Sequence, residues 1–217
     1  MSVAAEFFAG PVYPILDLAV CEERQLDLLE LLHLWEDLGL SCFQLRAKRL
    51  AREEYQELAL KLAARSRLRL IVNDHLPLLA SGAFTACHLG QSDRLQFPVL
   101  PRGAFLGLST HNLREFRAAL AEEWSYIALG PCFAGGAGKK EQMEPILSPE
   151  QLGECLAAAA KAPGRPVVLI GGLCAENYPL HPALPVPAVI GAATERSSLE
   201  RLIKKVEEAR ALYRMET

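Results

Sequence analysis

Short apolar runs bounded by turn residues recur along this chain, and each is followed by a longer stretch with the spacing of an amphipathic helix. This alternation is typical of βα units that build a parallel sheet. Eight such units can be counted. The predicted strands cover residues 12–17, 41–46, 68–73, 86–90, 105–109, 126–130, 167–171 and 188–192.

The segments between these strands predict helices of two kinds. Long amphipathic helices are expected at 25–38, 52–65, 112–123, 149–161 and 198–214, and shorter ones near 75–81 and 175–181. Helical spacing is least developed after the fourth strand.

Eight βα units in 217 residues predict an α/β fold, a single (β/α)8 TIM barrel near the short end of that fold's length range. A doubly wound open sheet is the alternative. No linker, low-complexity tract or break in composition divides the chain, so residues 1–217 are expected to form one domain.

Composition excludes several classes of partner. The formal charge of -3 and the pI near 6.0 provide no basic field for nucleic acid. Charged residues interrupt every apolar run well before the roughly 20 residues needed to cross a bilayer, and no basic segment precedes the first apolar residues. We therefore expect a cytoplasmic protein with no nucleic-acid or membrane partner.

The cysteines are spaced too widely for a zinc ribbon or a redox motif, since no CxxC pair occurs. We expect them to be reduced and mostly buried. The six are Cys21, Cys42, Cys87, Cys132, Cys155 and Cys174.

The segment SCFQLRAKRL, residues 41–50, has two unlike faces, because side chains alternate across a strand. One face carries Gln44, Arg46 and Lys48, and the other carries Phe43, Leu45 and Ala47. A guanidinium fork beside a point cation suits phosphate oxygens. A solvated strand end with two surface cations is the alternative.

Two carboxylates follow the third and fourth predicted strands. Asp74 and Asp93 are hard oxygen ligands that could share an Mg²⁺ ion, which usually binds one or two carboxylates together with substrate phosphates. Each could instead cap a helix. In a barrel both would lie at the carboxyl ends of the strands, where active sites form.

Glycines close the last two predicted strands. Backbone N–H groups at Gly171-Gly172 and Ile190-Gly191 could hold a second phosphate, as barrels often do after strands seven and eight. Simple tight turns are the alternative.

Two histidines differ in their surroundings. In STHNLREF, the spacing of Asn112 and Glu115 predicts a capping box, which does not need His111, so His111 is a minor candidate for proton transfer. His88 lies within the apolar strand ACHLG and is expected to be a hydrogen-bonded interior residue.

Seven short motifs, taken in order, resemble those of the thiamine-phosphate synthase family, to which thiazole tautomerase is a close relative. They span nearly the whole chain, and their number and order make the resemblance specific. They are QLRAK (44–48), IVNDH (71–75), HLGQSD (88–93), GLSTHN (107–112), YIALGPCF (126–133), LIGGL (169–173) and AVIGAA (188–193).

The resemblance implies a (β/α)8 barrel that joins hydroxymethylpyrimidine diphosphate to a thiazole phosphate, with Mg²⁺ as cofactor and pyrophosphate as the leaving group. Asp74 and Asp93 match the family's Mg²⁺ ligands. The residues that match the pyrimidine diphosphate site are Gln44, Leu45, Arg46, Ala47, Lys48, Asn73 and Ser109. Those that match the thiazole-phosphate site are Gly172, Ile190 and Gly191.

The loop after the sixth strand departs from the family pattern, in which phenylalanine is followed by Pro-Thr-x-Thr-Lys. This chain reads FAGGAGKKEQ, so Gly135 and Ala137 replace the threonines around Gly136, and Lys139 stands one place late. The loop is expected to be mobile and to act as a lid, with Lys139 acting in catalysis beside Arg46, Lys48 and Ser109.

Three functions are compatible with these residues. The first is an active synthase of small-molecule substrates. The second is an isomerase of the thiazole tautomerase type, favoured by His111 and the altered loop. The third is a ligand-binding or regulatory protein with weak catalysis. Association into a homo-oligomer is left open.

Overall fold

The computed structural model describes residues 3–135, 145–162 and 164–214. In these residues eight strands pair in parallel and in chain order, and β8 pairs with β1 to close the barrel. This confirms the predicted (β/α)8 fold. The strands are β1 (Tyr13–Asp17), β2 (Cys42–Arg46), β3 (Arg69–Asn73), β4 (Ala86–Leu89), β5 (Phe105–Thr110), β6 (Tyr126–Leu129), β7 (Val167–Ile170) and β8 (Val186–Val189).

Helices surround the barrel and one closes its amino end. They are α1 (Val3–Phe7), α2 (Leu18–Glu23), α3 (Leu28–Asp37), α4 (Arg52–Ala63), α5 (Gln91–Leu95), α6 (Leu113–Leu120), α7 (Pro149–Ala160) and α8 (Arg196–Arg214). Short 3-10 helices form at Leu76–Ser81 and Ala192–Thr194.

The apolar side chains form two clusters. The larger cluster lies between the strands and the helices and contains Phe43, Leu45 and Ala47, the predicted apolar face of the second strand. The smaller cluster fills the barrel interior, where Phe7 from α1 stacks on Phe105 with ring centroids 4.2 Å apart. Because the amino end is filled by aromatic rings, the polar ends of the strands at the other mouth are free for chemistry.

The predicted helix 25–38 is wrong in its first turn. The helix in this region, α3, begins only at Leu28, and Gln25, which lies between α2 and α3, has a φ of 53°. Asp27 caps α3 by accepting hydrogen bonds from the amides of Leu29 and Glu30. A left-handed residue followed by a strong cap begins a new helix, and the sequence pattern did not reveal that break.

The predicted helix at 175–181 does not form, and β8 begins and ends earlier than predicted. Asn177 instead ties a turn together, since its Oδ1 accepts from the Cys174 amide and its Nδ2 donates to the Gly172 carbonyl. Pro179 cannot donate a helical hydrogen bond. Ile190 and Gly191 lie after β8, where their carbonyls accept from a 3-10 turn.

All six cysteines are free thiols, and all except the half-buried Cys174 are buried, as predicted. Among the helices that the structure describes, none combines the length and the apolar character needed to cross a membrane.

Candidate functional site

An ion pair holds the end of β2. Arg46 Nη1 contacts the Oδ2 atom of Asp17, at the end of β1, and the Asp17 side chain is only 1% exposed. The register explains this contact, because Asp17 and Arg46 are paired across the two strands. The guanidinium is therefore fixed at the mouth rather than being a solvated strand end.

Lys48 and Asn73 converge on the predicted metal ligand Asp74. The Nζ atom of Lys48 lies 3.6 Å from Asp74 Oδ2, and Asn73 Nδ2 donates to the same oxygen at 2.6 Å. Asp74 has a φ of 63°, a left-handed conformation that non-glycine residues seldom adopt. It does not cap the next helix, whose N-cap residue is His75.

Asp93 lies beside Asp74, as predicted. The Asp74 amide donates to the His88 carbonyl at 2.8 Å, which joins the end of β3 to β4 and so to the turn that carries Asp93. Burial, and then the neighbouring Asp74 carboxylate, raise the pKa of Asp93. Asp93 also interacts with the Gly90 amide in the first turn of α5, so the capping alternative holds in part for this residue.

A buried tyrosine braces this side of the mouth. Tyr55, fully buried on α4, donates to the Leu45 carbonyl at 2.8 Å and accepts from the Asn73 amide at 2.9 Å. It thereby fixes the ends of β2 and β3 relative to each other. A cavity of about 190 Å³ opens here, lined in part by Lys48 and Asp74.

Ser109, near the end of β5, contacts His88 on β4 and Gln91 on α5. Its Oγ lies 2.8 Å from His88 Nε2, and its carbonyl accepts from Gln91 Nε2 at 2.6 Å. His88 is buried and hydrogen-bonded, as predicted. Gln44 points inward from β2 and donates to the Tyr13 hydroxyl at 2.9 Å.

The glycine pair after β7 packs against the loop that follows β6. The Phe133 amide donates to the Gly171 carbonyl at 3.0 Å, and a Cβ atom on Gly172, whose φ is 63°, would lie 2.4 Å from the Ala134 carbonyl oxygen. Glycine is therefore required for this close approach. The described part of the loop ends at Gly135, with a φ of 91°.

Three predicted site residues, Gly136, Ala137 and Lys139, lie outside the described residues. The sequence alone carries the expectations for them.

His111 is held at the start of α6 by a carboxylate. Its amide and its Nδ1 lie 2.9 Å and 3.2 Å from Glu115 Oε2, while Asn112 Oδ1 accepts from the Glu115 amide. Asn112 caps the helix as predicted, but Glu115 pairs with His111 instead of closing the reciprocal half of the box.

A larger hollow, of about 620 Å³, lies at the amino ends of β5 and β6 and is lined in part by Trp124 and Arg165. It contains none of the predicted site residues. Because the charged and hydrogen-bonding groups gather at the carboxyl ends of the strands, the smaller cavity marks the candidate site.

Sequence reasoning missed Asp17 and Tyr55, along with the tyrosines of the barrel interior. Asp17 ends its strand just as Arg46 ends the next one, which is a signal that could have paired them. No local signal distinguishes Tyr55 from other apolar positions of an amphipathic helix.

The fold and the site together define a (β/α)8 barrel whose mouth brings two cations, two carboxylates and a serine together. A family model described as thiamine monophosphate synthase matches residues 12–183. The chain belongs to the thiamine monophosphate synthase family, and it is an enzyme of the transferase class.

Curated relatives align with this chain over most of their length. The chain is 32% identical to the thiamine-phosphate synthase of Salmonella paratyphi B over 192 residues, covering 85% of this chain and 84% of the relative. It is 34% identical to that of Neisseria meningitidis serogroup B over 175 residues, covering 76% and 82%.

A solved structure supports the fold. The thiamine phosphate pyrophosphorylase of Pyrococcus furiosus superposes with a TM-score of 0.69 at 21% identity, covering 96% of this chain and 99% of that one.

Proposed function

We propose that the protein synthesises thiamine phosphate by coupling hydroxymethylpyrimidine diphosphate to a thiazole phosphate in an Mg²⁺-dependent reaction that releases pyrophosphate. The observation that carries the proposal is the convergence of Arg46, Lys48, Asp74 and Asp93 at one mouth of the barrel. The membership of the family supports the same reaction.

The carboxylate pair fits a magnesium ion. Among the described residues no cluster of three or more metal-binding side chains occurs, and Mg²⁺ does not require one, since it usually binds one or two carboxylates plus substrate phosphates. Asp74 and Asp93 lie close enough to disfavour two negative charges, which a cation would relieve. When bound, the ion would supply positive charge to the diphosphate oxygens.

Arg46 and Lys48 act on the leaving group. The bond that breaks joins the pyrimidine's methylene carbon to the diphosphate oxygen, and the new bond forms from that carbon to the thiazole nitrogen. Negative charge accumulates on the departing pyrophosphate, where the two cations stabilise it. No protein nucleophile is needed, and the electron-rich aminopyrimidine tolerates a loosened, cation-like carbon.

The thiazole phosphate is assigned to the opposite side of the mouth. Gly172 and the Ile190-Gly191 dipeptide present backbone there, and the loop after β6 packs on the glycine turn. Backbone amides can bind a phosphate without the side-chain hydroxyls that this loop lacks.

The test is a two-substrate assay of pyrophosphate release, run with each substrate omitted in turn and with and without Mg²⁺. Pyrophosphate is expected only with both substrates and Mg²⁺ present. Tight binding of the pyrimidine diphosphate with no pyrophosphate would support the ligand-binding alternative. Interconversion of thiazole tautomers in the absence of the pyrimidine would favour the isomerase, for which the His111–Glu115 pair is the supporting observation.

A further inference from the structure

Five side chains form a continuous hydrogen-bonded chain across the barrel interior. Gln44 Nε2 donates to Tyr13 Oη at 2.9 Å, and Tyr13 Oη lies 3.2 Å from Tyr126 Oη. Tyr126 Oη lies 2.9 Å from His88 Nδ1, and His88 Nε2 lies 2.8 Å from Ser109 Oγ. This hydrogen-bonded chain therefore runs from β2 to β5. Its two ends, Gln44 and Ser109, are residues assigned to the pyrimidine diphosphate.

The Gln44 amide decides the direction in which protons are donated along this chain. An amide nitrogen only donates, so Tyr13 accepts from Gln44. If Tyr126 also donated to Tyr13, the Tyr13 proton would have no acceptor among the hydrogen bonds of the described residues, although Tyr13 is only 1% exposed. A buried unsatisfied hydroxyl is costly, so Tyr13 donates to Tyr126.

The same reasoning continues to the other end. Tyr126 accepts from Tyr13 and, fully buried itself, must use its own proton on His88 Nδ1. A neutral His88 whose Nδ1 accepts carries its proton on Nε2. That proton is donated to Ser109 Oγ, so the Ser109 hydroxyl proton must point elsewhere.

We propose that His88, held as its Nε2–H tautomer by Tyr126 and Tyr13, is a positioning residue that makes Ser109 a hydrogen-bond donor to an acceptor atom of the pyrimidine diphosphate. Ser109 is half-buried near the carboxyl end of β5, the end of the barrel that carries the candidate site, so its proton would be available to a substrate bound there. The assignment of the pyrimidine diphosphate as the acceptor rests on the proposed function. The tautomer of His88 rests only on the hydrogen bonds described above.

Packing fixes the position of the Tyr126 ring, which is the central member of the hydrogen-bonded chain. A Cβ atom on Gly107 would lie 2.0 Å from this ring, so the ring occupies space that only glycine leaves on β5. The His88 and Tyr126 rings also stack, with centroids 5.5 Å apart. These contacts leave the two rings little freedom to exchange partners.

Imidazole nitrogen NMR tests the tautomer without any substrate. In protein labelled with ¹⁵N-histidine, the His88 resonances, assigned by their loss in His88→Gln, are expected to show a protonated Nε2 and an unprotonated Nδ1. Tyr126→Phe should shift the population toward the other tautomer, because Nδ1 loses its donor. Tyr178→Phe is the matched control, since it removes a buried hydroxyl outside the chain, one that donates to the Pro185 carbonyl at 2.7 Å. A wild-type ring protonated at Nδ1 would overturn the proposal.

Kinetics test whether His88 acts through Ser109. Ser109→Ala and His88→Asn are each expected to reduce kcat/KM for the pyrimidine diphosphate about tenfold or more, the scale of one hydrogen bond to a charged or polarised group. The double variant should lose no more than Ser109→Ala alone, and His88→Gln, whose amide can reach the Nε2 position, should recover part of the loss. If the loss of kcat/KM in the double variant equals the product of the two single losses, His88 acts independently of Ser109. Absence of turnover in the wild type would contradict the proposed function and leave the NMR result to decide the tautomer.

Discussion

The buried Asp17 holds Arg46 in position for phosphate binding. Its carboxylate accepts from Arg46 and, at 3.3 Å, from the Val20 amide, so this buried charge is compensated on both sides. Arg46 thus loses little rotamer freedom when a phosphate binds. Lys48, by contrast, is 52% exposed and can move toward a ligand.

Asp74→Asn and Asp93→Asn should each weaken Mg²⁺-dependent binding of the pyrimidine diphosphate and leave the fold intact, because both lie at strand exits rather than in the core. Titration calorimetry with and without Mg²⁺ measures the effect. Asp37→Asn is the matched control, since its carboxylate is 67% exposed and lies on α3. Unchanged Mg²⁺ dependence in both site variants would remove the metal assignment.

The same pair predicts a pH effect on stability in the absence of metal. Since the folded-state pKa of Asp93 is raised, its protonated form stabilises the fold at low pH, and that contribution is lost as pH rises through the folded pKa. Asp93→Asn should therefore raise Tm at neutral pH without Mg²⁺. The difference in Tm between this variant and the wild type should narrow on acidification. Thermal scans across pH measure this. A difference in Tm that does not depend on pH would argue against a raised pKa of Asp93 in the folded protein.

Arg46→Ala and Lys48→Ala should each cost roughly 2 to 4 kcal/mol of transition-state stabilisation, the range for losing a preorganised donor at developing charge. The neighbouring Arg49→Ala removes an exposed cation outside the site and should leave kcat/KM near the wild-type value. Wild-type kcat/KM in both site variants would restore the surface interpretation of this strand end.

At the scale of elements, the connection after β6 carries FAGGAGKKEQ where the family resemblance led us to expect Pro-Thr-x-Thr-Lys after the phenylalanine. The Leu147 amide donates to the Pro131 carbonyl at 3.0 Å, which anchors the far side of this connection beneath the glycine turn after β7. Both ends of the connection are thus tied to the mouth.

Lys139 stands one position later than the lysine of the family pattern. If it performs the role of that lysine, Lys139→Ala should reduce turnover far more than the matched Lys140→Ala. Restoring threonine at Gly135 and Ala137 should lower KM for the thiazole phosphate and leave the affinity for the pyrimidine diphosphate nearly unchanged. Steady-state kinetics with each substrate varied in turn measures both effects. Equal activity of the two lysine variants, with an unchanged thiazole KM, would mean that this segment is not a substrate lid.

At the scale of the whole molecule, closure of the barrel brings distant residues into one interior. Gly107→Ala should destabilise the protein by about 1 to 3 kcal/mol or more, because the new methyl group would overlap the Tyr126 ring and overpack the core. Denaturant unfolding measures the free-energy change. Gly153→Ala on α7, where a Cβ atom meets nothing within 4 Å, should instead stabilise by about 0.5 to 1 kcal/mol. Destabilisation by both would implicate helix and strand packing generally rather than the Tyr126 contact.

Local pattern was sufficient for the number and order of the strands, for the two faces of the segment at 41–50, and for the placing of Asp74 and Asp93 after the third and fourth strands. These features depend on residue spacing along one element, which the sequence carries directly. The break after Gln25 and the turn at Asn177 are made by local side-chain caps, which hydrophobic spacing does not record. The Asp17–Arg46 pair depends on partners that are distant in the sequence. The hydrogen-bonded chain from Gln44 to Ser109 needed the closed barrel, because no spacing along the sequence records which side chains meet when eight strands close on themselves.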